Sequence, residues 1–228
     1  MEPDYKETSP RFREEREKRN LSQEDMCRIL NMTQGHFSRA ENGENYFSYE
    51  HLQKLNAAQF DMHFIFSGKR CDTGMLEYQS LRDGAAARDY YSLAQMCFAL
   101  LQRVDDRKKY PGKKSLLEQN DVVRCVINFP EQNIWYWIRR YHKYSQAQMA
   151  EELNVDIKTY IGLEKEKKFP HSGTVFELYR RFHVPPQLVL GDKRGILYAI
   201  CETLNRLDVE DKDNVLERLK QIYDQWFC

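Results

Sequence analysis

The chain has 228 residues, enough for one or two domains, and its 35 Lys and Arg are matched by 35 Asp and Glu, so no global polycation announces nucleic acid. No run of about 18 apolar residues exists, and the N-terminus is charged where a leader would be apolar, which argues against a membrane span and a secretory leader. The cysteines (Cys27, Cys71, Cys97, Cys125, Cys201 and Cys228) are scattered without a CxxC pair, so zinc and a disulfide framework are disfavoured and a reduced cytoplasm is expected.

Residues 1–8 read as a polar lead-in. Ser9 and Pro10 suit a helix start, and Phe12 is the main apolar contact of the FREEREKRN segment that follows. Ser22 to Gly43, SQEDMCRILNMTQGHFSRAENG, then shows two short helical patterns meeting at a tight turn. Met26, Cys27 and Leu30 are apolar at helical spacing, and Met32 enters the turn. Thr33 is a natural N-cap for a second helix, whose Phe37 and Ala40 point back at the first. Cys27 is expected to be buried on that apolar face. Gln34, His36, Ser38 and Arg39 lie off the stripe. A short helix with polar donors at its N-terminal end is the part of a helix-turn-helix that enters a major groove.

Leu52 and Leu55 continue a helical face, and Phe60, Phe64, Ile65 and Phe66 cluster before Ser67-Gly68. Residues 75–104 read as helical, interrupted at Gly84, with Leu93, Met96, Cys97, Leu100 and Leu101 on one side. In DDRKKYPGKKSLLEQN, residues 105–120, Pro111-Gly112 breaks any helix. Arg107, Lys108, Lys109, Lys113 and Lys114 surround Tyr110 there. A solvated connector is the commoner outcome for such a run, and a strap over phosphates the other. VVRCVINF, residues 122–129, fits either a short strand or the start of the next helix.

The earlier stretch recurs as SQAQMAEELNVDIKTYIGLEKE, Ser145 to Glu166, Ser22 falling on Ser145 at an offset of 123 residues with no gap. Gln23 falls on Gln146, Met26 on Met149, Leu30 on Leu153, Phe37 on Tyr160 and Glu41 on Glu164. Self-similarity of this kind means two copies of one structural unit. Val184, Leu188, Val189 and Leu190 precede Gly191 with a spacing one residue longer than in the first copy. Pro170 and Pro185-Pro186 punctuate the loops. Residues 195–227 carry Ile196, Leu197, Ile200 and Leu204, then Val215, Leu216, Leu219, Ile222, Tyr223 and Trp226, with a break between Asp208 and Asp213. Each copy thus carries an appended helical segment, whose apolar face is core or a dimer seam, core being the commoner outcome.

At Phe12, Arg16, Leu21-Ser22-Gln23, Met26, Leu30, Thr33-Gln34, Phe37 and Glu41-Asn42-Gly43 the chain resembles the Cro/repressor-type helix-turn-helix family, also called the xenobiotic-response-element type. The resemblance covers about residues 9–68 and 132–192. It implies an all-α protein of two tandem lambda-repressor-like helix-turn-helix domains, each with an appended helical segment: residues 1–104, a basic linker at 105–128, and residues 129–228. It also implies a bridge from Arg16 to Glu41 that fixes the recognition helix, repeated as Arg139 and Glu164. Glu15 departs from the family, where an apolar residue such as Ile138 of the second copy is usual, so the first helix is expected to pack less deeply.

The resemblance implies roles at individual positions. Gln34 sits where the family places a base-reading glutamine, and Gln can bond both polar edges of adenine. Arg39 reaches a guanine or a phosphate, with His36 and Ser38 secondary. Gly35, two residues after the capping Thr33, permits close approach of the backbone. Gln23 and Asn42 bond phosphates at either end, and Gln146 is the counterpart of Gln23. In the second copy Ile157 replaces Gln34 and Gly162 replaces Arg39. Ile157 can meet a thymine methyl and Lys158 a phosphate or a guanine, while Lys165, Lys167 and Lys168 add local positive charge. Glu166 replaces Gly43, so a different turn is expected there. This copy reads a half-site, holds the backbone, or serves as a protein interface.

The function expected is sequence-specific binding of double-stranded DNA by a transcriptional repressor. The alternative is a protein-interaction adaptor, antitoxin-like, which neutral charge and a weak second helix favour. An enzyme is not expected, because no nucleophile–base pair, metal-ligand spacing or phosphate-cradling glycine loop is present. No cofactor and no metal are expected. A homodimer through the appended helices and a small-molecule or peptide inducer are left open.

Overall fold

The computed structural model describes residues 4–71, 87–108, 121–128 and 132–227. Among them every regular element is helical, as the all-α expectation requires. After a 3-10 turn at Tyr5–Glu7 come α1 (Thr8–Lys18), α2 (Gln23–Leu30), α3 (Gln34–Glu41), α4 (Tyr49–Ala57) and α5 (Met62–Ser67). Then follow α6 (Ala87–Lys108), α7 (Asp121–Asn128), α8 (Ile134–Tyr141), α9 (Gln146–Glu152) and α10 (Ile157–Glu164). The chain continues with α11 (Ser172–Phe182), α12 (Pro186–Val189), α13 (Gly195–Leu204) and α14 (Val209–Phe227).

The fold divides into two compact units, one from Met1–Arg70 with His142–Gly191, the other from Cys71–Tyr141 with Asp192–Cys228. In the first unit local chemistry sets the helix starts. Ser22 and Asp25 form a reciprocal capping box at α2, Ser48 and His51 another at α4, and Ser145 and Gln148 a third at α9. Asp61 accepts from Phe64 N–H at 2.9 Å to start α5. Phe12 is the hub of the first repeat's core, its ring 5.0 Å from Phe47, 5.8 Å from Phe60 and 6.1 Å from Phe37. Met26, Leu30, Leu52 and Leu55 close around it, and Met149, Leu153, Tyr160 and Leu163 take corresponding places in the second repeat. Cys27 is only half-buried, because α2 presents its edge there rather than its core face.

The shallow packing expected at Glu15 is not what the structure shows. Its side chain is fully buried, and its carboxylate accepts from Arg70 at 2.7 Å, Arg19 at 2.5 Å and the Asp61 backbone N–H at 3.1 Å. Burial raises the carboxyl's pKa, but these donors outweigh it and hold Glu15 below the ordinary value. A buried charge with its lone pairs satisfied can occupy a position usually filled by an apolar side chain.

In the second unit α13 and α14 pack on α6, burying Cys97, Leu101, Ile200, Leu204, Val215 and Leu219. The appended segments therefore bury their apolar faces on one another and not each within its own repeat, with a break between α13 and α14 at residues 205–208, slightly earlier than the sequence suggests. Residues 121–128 are helix rather than strand, and α7 packs on α8. Residues 105–108 complete α6. Gly84, Lys109, Pro111-Gly112, Lys113 and Lys114 lie outside the described residues. No helix among the described residues is long and apolar enough to cross a membrane.

Candidate nucleic-acid interface

α2 and α3 meet through Asn31, which takes a left-handed φ of 56°, and Met32 N–H, which returns to the Cys27 carbonyl at 2.9 Å. Thr33 is extended at the N-cap of α3, without a cap bond from its side chain. α3 buries Phe37, Ala40 and Glu41 and leaves Thr33, Gln34, Gly35, His36, Arg39 and Asn42 exposed, with Ser38 half-buried. The structure thus brings the expected readers together on one open face. A Cβ on Gly35 would meet nothing within 4 Å, so packing does not demand glycine there.

The scaffold under that face is ionic. Glu41, 1% exposed, accepts from Arg16 Nε at 2.6 Å on one oxygen and from Gln23 Nε2 at 2.6 Å on the other. Arg16 also donates to the Leu21 carbonyl at 2.8 Å, so α1, the α1–α2 turn and the end of α3 share one guanidinium. In the second repeat Gln146 Nε2 donates to Glu164 at 2.6 Å, and the Tyr160 hydroxyl adds a bond at 3.3 Å. Arg139 lies with its guanidinium 5.6 Å from the Tyr136 ring centre. Gln23 and Gln146 therefore brace α3 and α10. A Glu placed 18 residues after each Gln is the sequence signal for that bracing, and a phosphate role alone overlooks it. Asn42 accepts from Arg13 at 2.9 Å, which adds an exposed cation at the end of α3 that sequence reasoning did not single out.

α10 starts on Asp156, which accepts from Thr159 N–H at 2.9 Å. It buries Tyr160, Gly162 and Leu163 and exposes Ile157 and Lys158, Ile157 at 45%. Beyond it Lys165, Lys167 and Lys168 are exposed. The turn here matches that of the first repeat, contrary to the expectation from Glu166. Glu44 N–H returns to the Arg39 carbonyl at 2.9 Å with Gly43 at φ 72°, and Lys167 N–H returns to the Gly162 carbonyl at 2.8 Å with Glu166 at φ 55°. Gly43 is doubly required, because its φ is left-handed and a Cβ would lie 2.7 Å from Ser9 Oγ.

Between the repeats, the Tyr46 ring stacks on His171, the N-cap of α11, at 4.4 Å and 9°. Phe169, the residue matching Tyr46, stacks on Tyr49, the first residue of α4, at 4.9 Å and 18°. Each aromatic thus reaches from the turn behind α3 or α10 to the start of the following helix in the other repeat. Ser172 ties the same seam, its Oγ accepting from Phe47 N–H at 2.9 Å and lying 2.6 Å from the Tyr5 hydroxyl. Burial pushes the Tyr5 phenol up to about 12.

Among the described residues no group of three His, Cys, Asp or Glu is placed to hold a metal ion. The sequence matches the family described as Helix-turn-helix over residues 12–58. No curated protein and no solved structure matches the chain. Residues 12–58 thus form a helix-turn-helix domain, a fold that supports DNA binding in transcription regulation.

Proposed function

We propose that this protein is a sequence-specific double-stranded DNA-binding transcriptional regulator, a repressor acting by occupying its operator. In this reading α3 enters the major groove, Gln34 and Arg39 read bases, and His36, Ser38 and Asn42 assist at the edges. The observation that carries it is the exposed face of Gln34, Gly35, His36 and Arg39 on a helix whose far end is clamped by Arg16, Gln23 and Glu41. A reader must be held rigidly to discriminate bases.

The second repeat is assigned a second DNA contact through Ile157 and Lys158. Supporting this are the repeated Gln–Glu brace at 2.6 Å and the reciprocal stacking across the seam. The matching Tyr46 and Phe169 each reach the start of the other repeat's following helix, at positions one residue out of register, an arrangement that suits pairing about an approximate two-fold axis. One chain would then present the two heads that a dimer presents, to unlike half-sites about one helical turn apart.

The adaptor reading rests on the exposed Ile157, an apolar side chain where the first repeat carries Gln34. Selection of bound sequences from random duplexes separates the two readings. Enrichment of a two-part motif, of which Gln34→Ala loses one half and Lys158→Ala the other, supports the regulator with two heads. A motif sensitive to Gln34 alone reduces the second repeat to a clamp. No enrichment, with weak binding driven only by low salt, sinks the regulator. Sedimentation of the free chain and of the complex tests the homodimer.

A further inference from the structure

The second repeat keeps Lys158 at the start of α10 but has no cation at the position of Arg39, where Gly162 stands. The structure shows what fills the space. The stem of Lys168 lies across Gly162: a Cβ there would fall 2.7 Å from Lys168 Cγ, 2.9 Å from Cδ and 3.1 Å from Cβ. The ammonium then reaches back along α10 and donates to the Thr159 hydroxyl at 2.9 Å. Thr159 matches His36 of the first repeat, so a charge from beyond the helix is laid on the helix face. The turn that permits this is fixed, because Lys168 N–H itself bonds the Gly162 carbonyl at 3.1 Å.

The residues following each helix differ in sign. The first repeat continues Asn42, Gly43, Glu44, Asn45, and the second Lys165, Glu166, Lys167, Lys168. An ammonium has three donors, and Thr159 takes one, so two remain for a ligand. Asp156 lies close enough for Lys168 to help hold its carboxyl below the ordinary range, after the Thr159 hydrogen bonds that dominate that shift. Neutralising Asp156 is the purely structural role for Lys168, and it would leave DNA binding indifferent to this residue.

We propose that Lys168, seated in the groove left by Gly162, takes the place of Arg39 as a DNA-facing cation beside Lys158 and contacts a backbone phosphate. The inference rests on the DNA-binding reading above and adds to it a division of labour. At the position of Arg39 the first repeat uses a cation borne by the helix, and the second one borne by the following turn. A compact ammonium suits a phosphate as a point charge, whereas bidentate reading of a base favours Arg.

The test is a salt series with the full chain on its selected duplex, comparing wild type, Lys168→Gln, Lys168→Arg, Gly162→Ala and the Gly162→Ala/Lys168→Gln double variant. Thermal melts establish that each is folded. Removing one bound phosphate from the interface lowers the slope of log K against log salt by about 0.9. Lys168→Gln is expected to show that drop while keeping the wild-type sequence preference, and Lys168→Arg to retain the slope. Gly162→Ala is expected to show the same drop by displacing the flexible Lys stem, and the double variant no further drop. An unchanged slope in Lys168→Gln, or a Gly162→Ala chain that binds like wild type, overturns the inference. If the wild type enriches no sequence, the DNA-binding reading fails first. A wild type that binds a defined duplex beside variants with unaltered slopes removes this inference alone.

Discussion

Glu15 shows how far one side chain's surroundings can depart from its type. Its carboxylate is enclosed by Arg19, Arg70 and the Asp61 N–H, and Arg70 also reaches Glu14 at 2.8 Å and lies 3.8 Å over the Phe64 ring. Glu15→Ala leaves a buried amide and two cations without their acceptor. It should cost about 2–3 kcal/mol in urea unfolding, the low side for a broken buried pair because both Arg side chains still reach water. The folded pKa of Glu15 is lowered, so its contribution is full above its ordinary value of 4.5 and is lost as pH falls through the lower folded value. His63 is perturbed as well. Burial, assisted by Lys69, pushes it from 6.5 down to about 4. Its neutral form is favoured in the folded state, so stability is complete above pH 6.5 and is lost as pH falls from 6.5 toward about 4. A His63→Leu chain should show a flatter pH dependence of the urea midpoint over that interval. An equally steep dependence in this variant would reject the assignment.

Among the elements, the turns after the two recognition helices share one geometry but not one chemistry. Glu166 holds a φ of 55° that glycine adopts without steric cost. Glu166→Gly should therefore raise stability by about 1 kcal/mol, as a higher melting temperature. Gly43→Ala should lower it by more than that, since it adds a Cβ 2.7 Å from Ser9 Oγ and 3.0 Å from the Lys6 Cα. Of the helix starts, the sequence marked Ser9 and Thr33, yet Ser9 lies inside α1 and the Thr33 side chain makes no cap bond. The caps that form, Ser22 with Asp25, Ser145 with Gln148 and Asp156 with Thr159, each join residues three apart. The αL geometry at Glu166 was not legible, since substitution of a glycine suggests a changed turn while the backbone bonds to Gly162 preserve it.

For the molecule, under the proposal that each repeat contacts DNA, the seam sets the spacing of the two contacts. The Tyr46 ring rests on the backbone of Gly173, where a Cβ would fall 2.5 Å from the ring. Gly173→Ala should cost about 1–3 kcal/mol by overpacking and loosen the pairing of the repeats. With half-sites about one turn apart, inserting half a turn of DNA between them puts the second on the opposite face of the duplex. Wild type should lose most of its affinity for that duplex, and Gly173→Ala should lose less, read as the ratio of dissociation constants for the two spacings. Equal ratios would show that the seam does not set the spacing.

The sequence alone determined the helical class, the 123-residue repeat and the polar set on α3, while leaving residues 122–129 open between strand and helix. These follow from apolar spacing and short-range capping, which operate along the chain whatever surrounds it. The Arg16–Glu41 bridge was also readable, through the resemblance of the first repeat to the Cro/repressor-type helix-turn-helix family. Only the tertiary structure decided that Glu15 is buried, that Gln23 braces Glu41 and that Tyr46 meets His171. It alone placed Lys168 over the gap at Gly162. Those partners are brought together by packing of helices and turns, so their meeting depends on where each element comes to rest and not on local residue spacing.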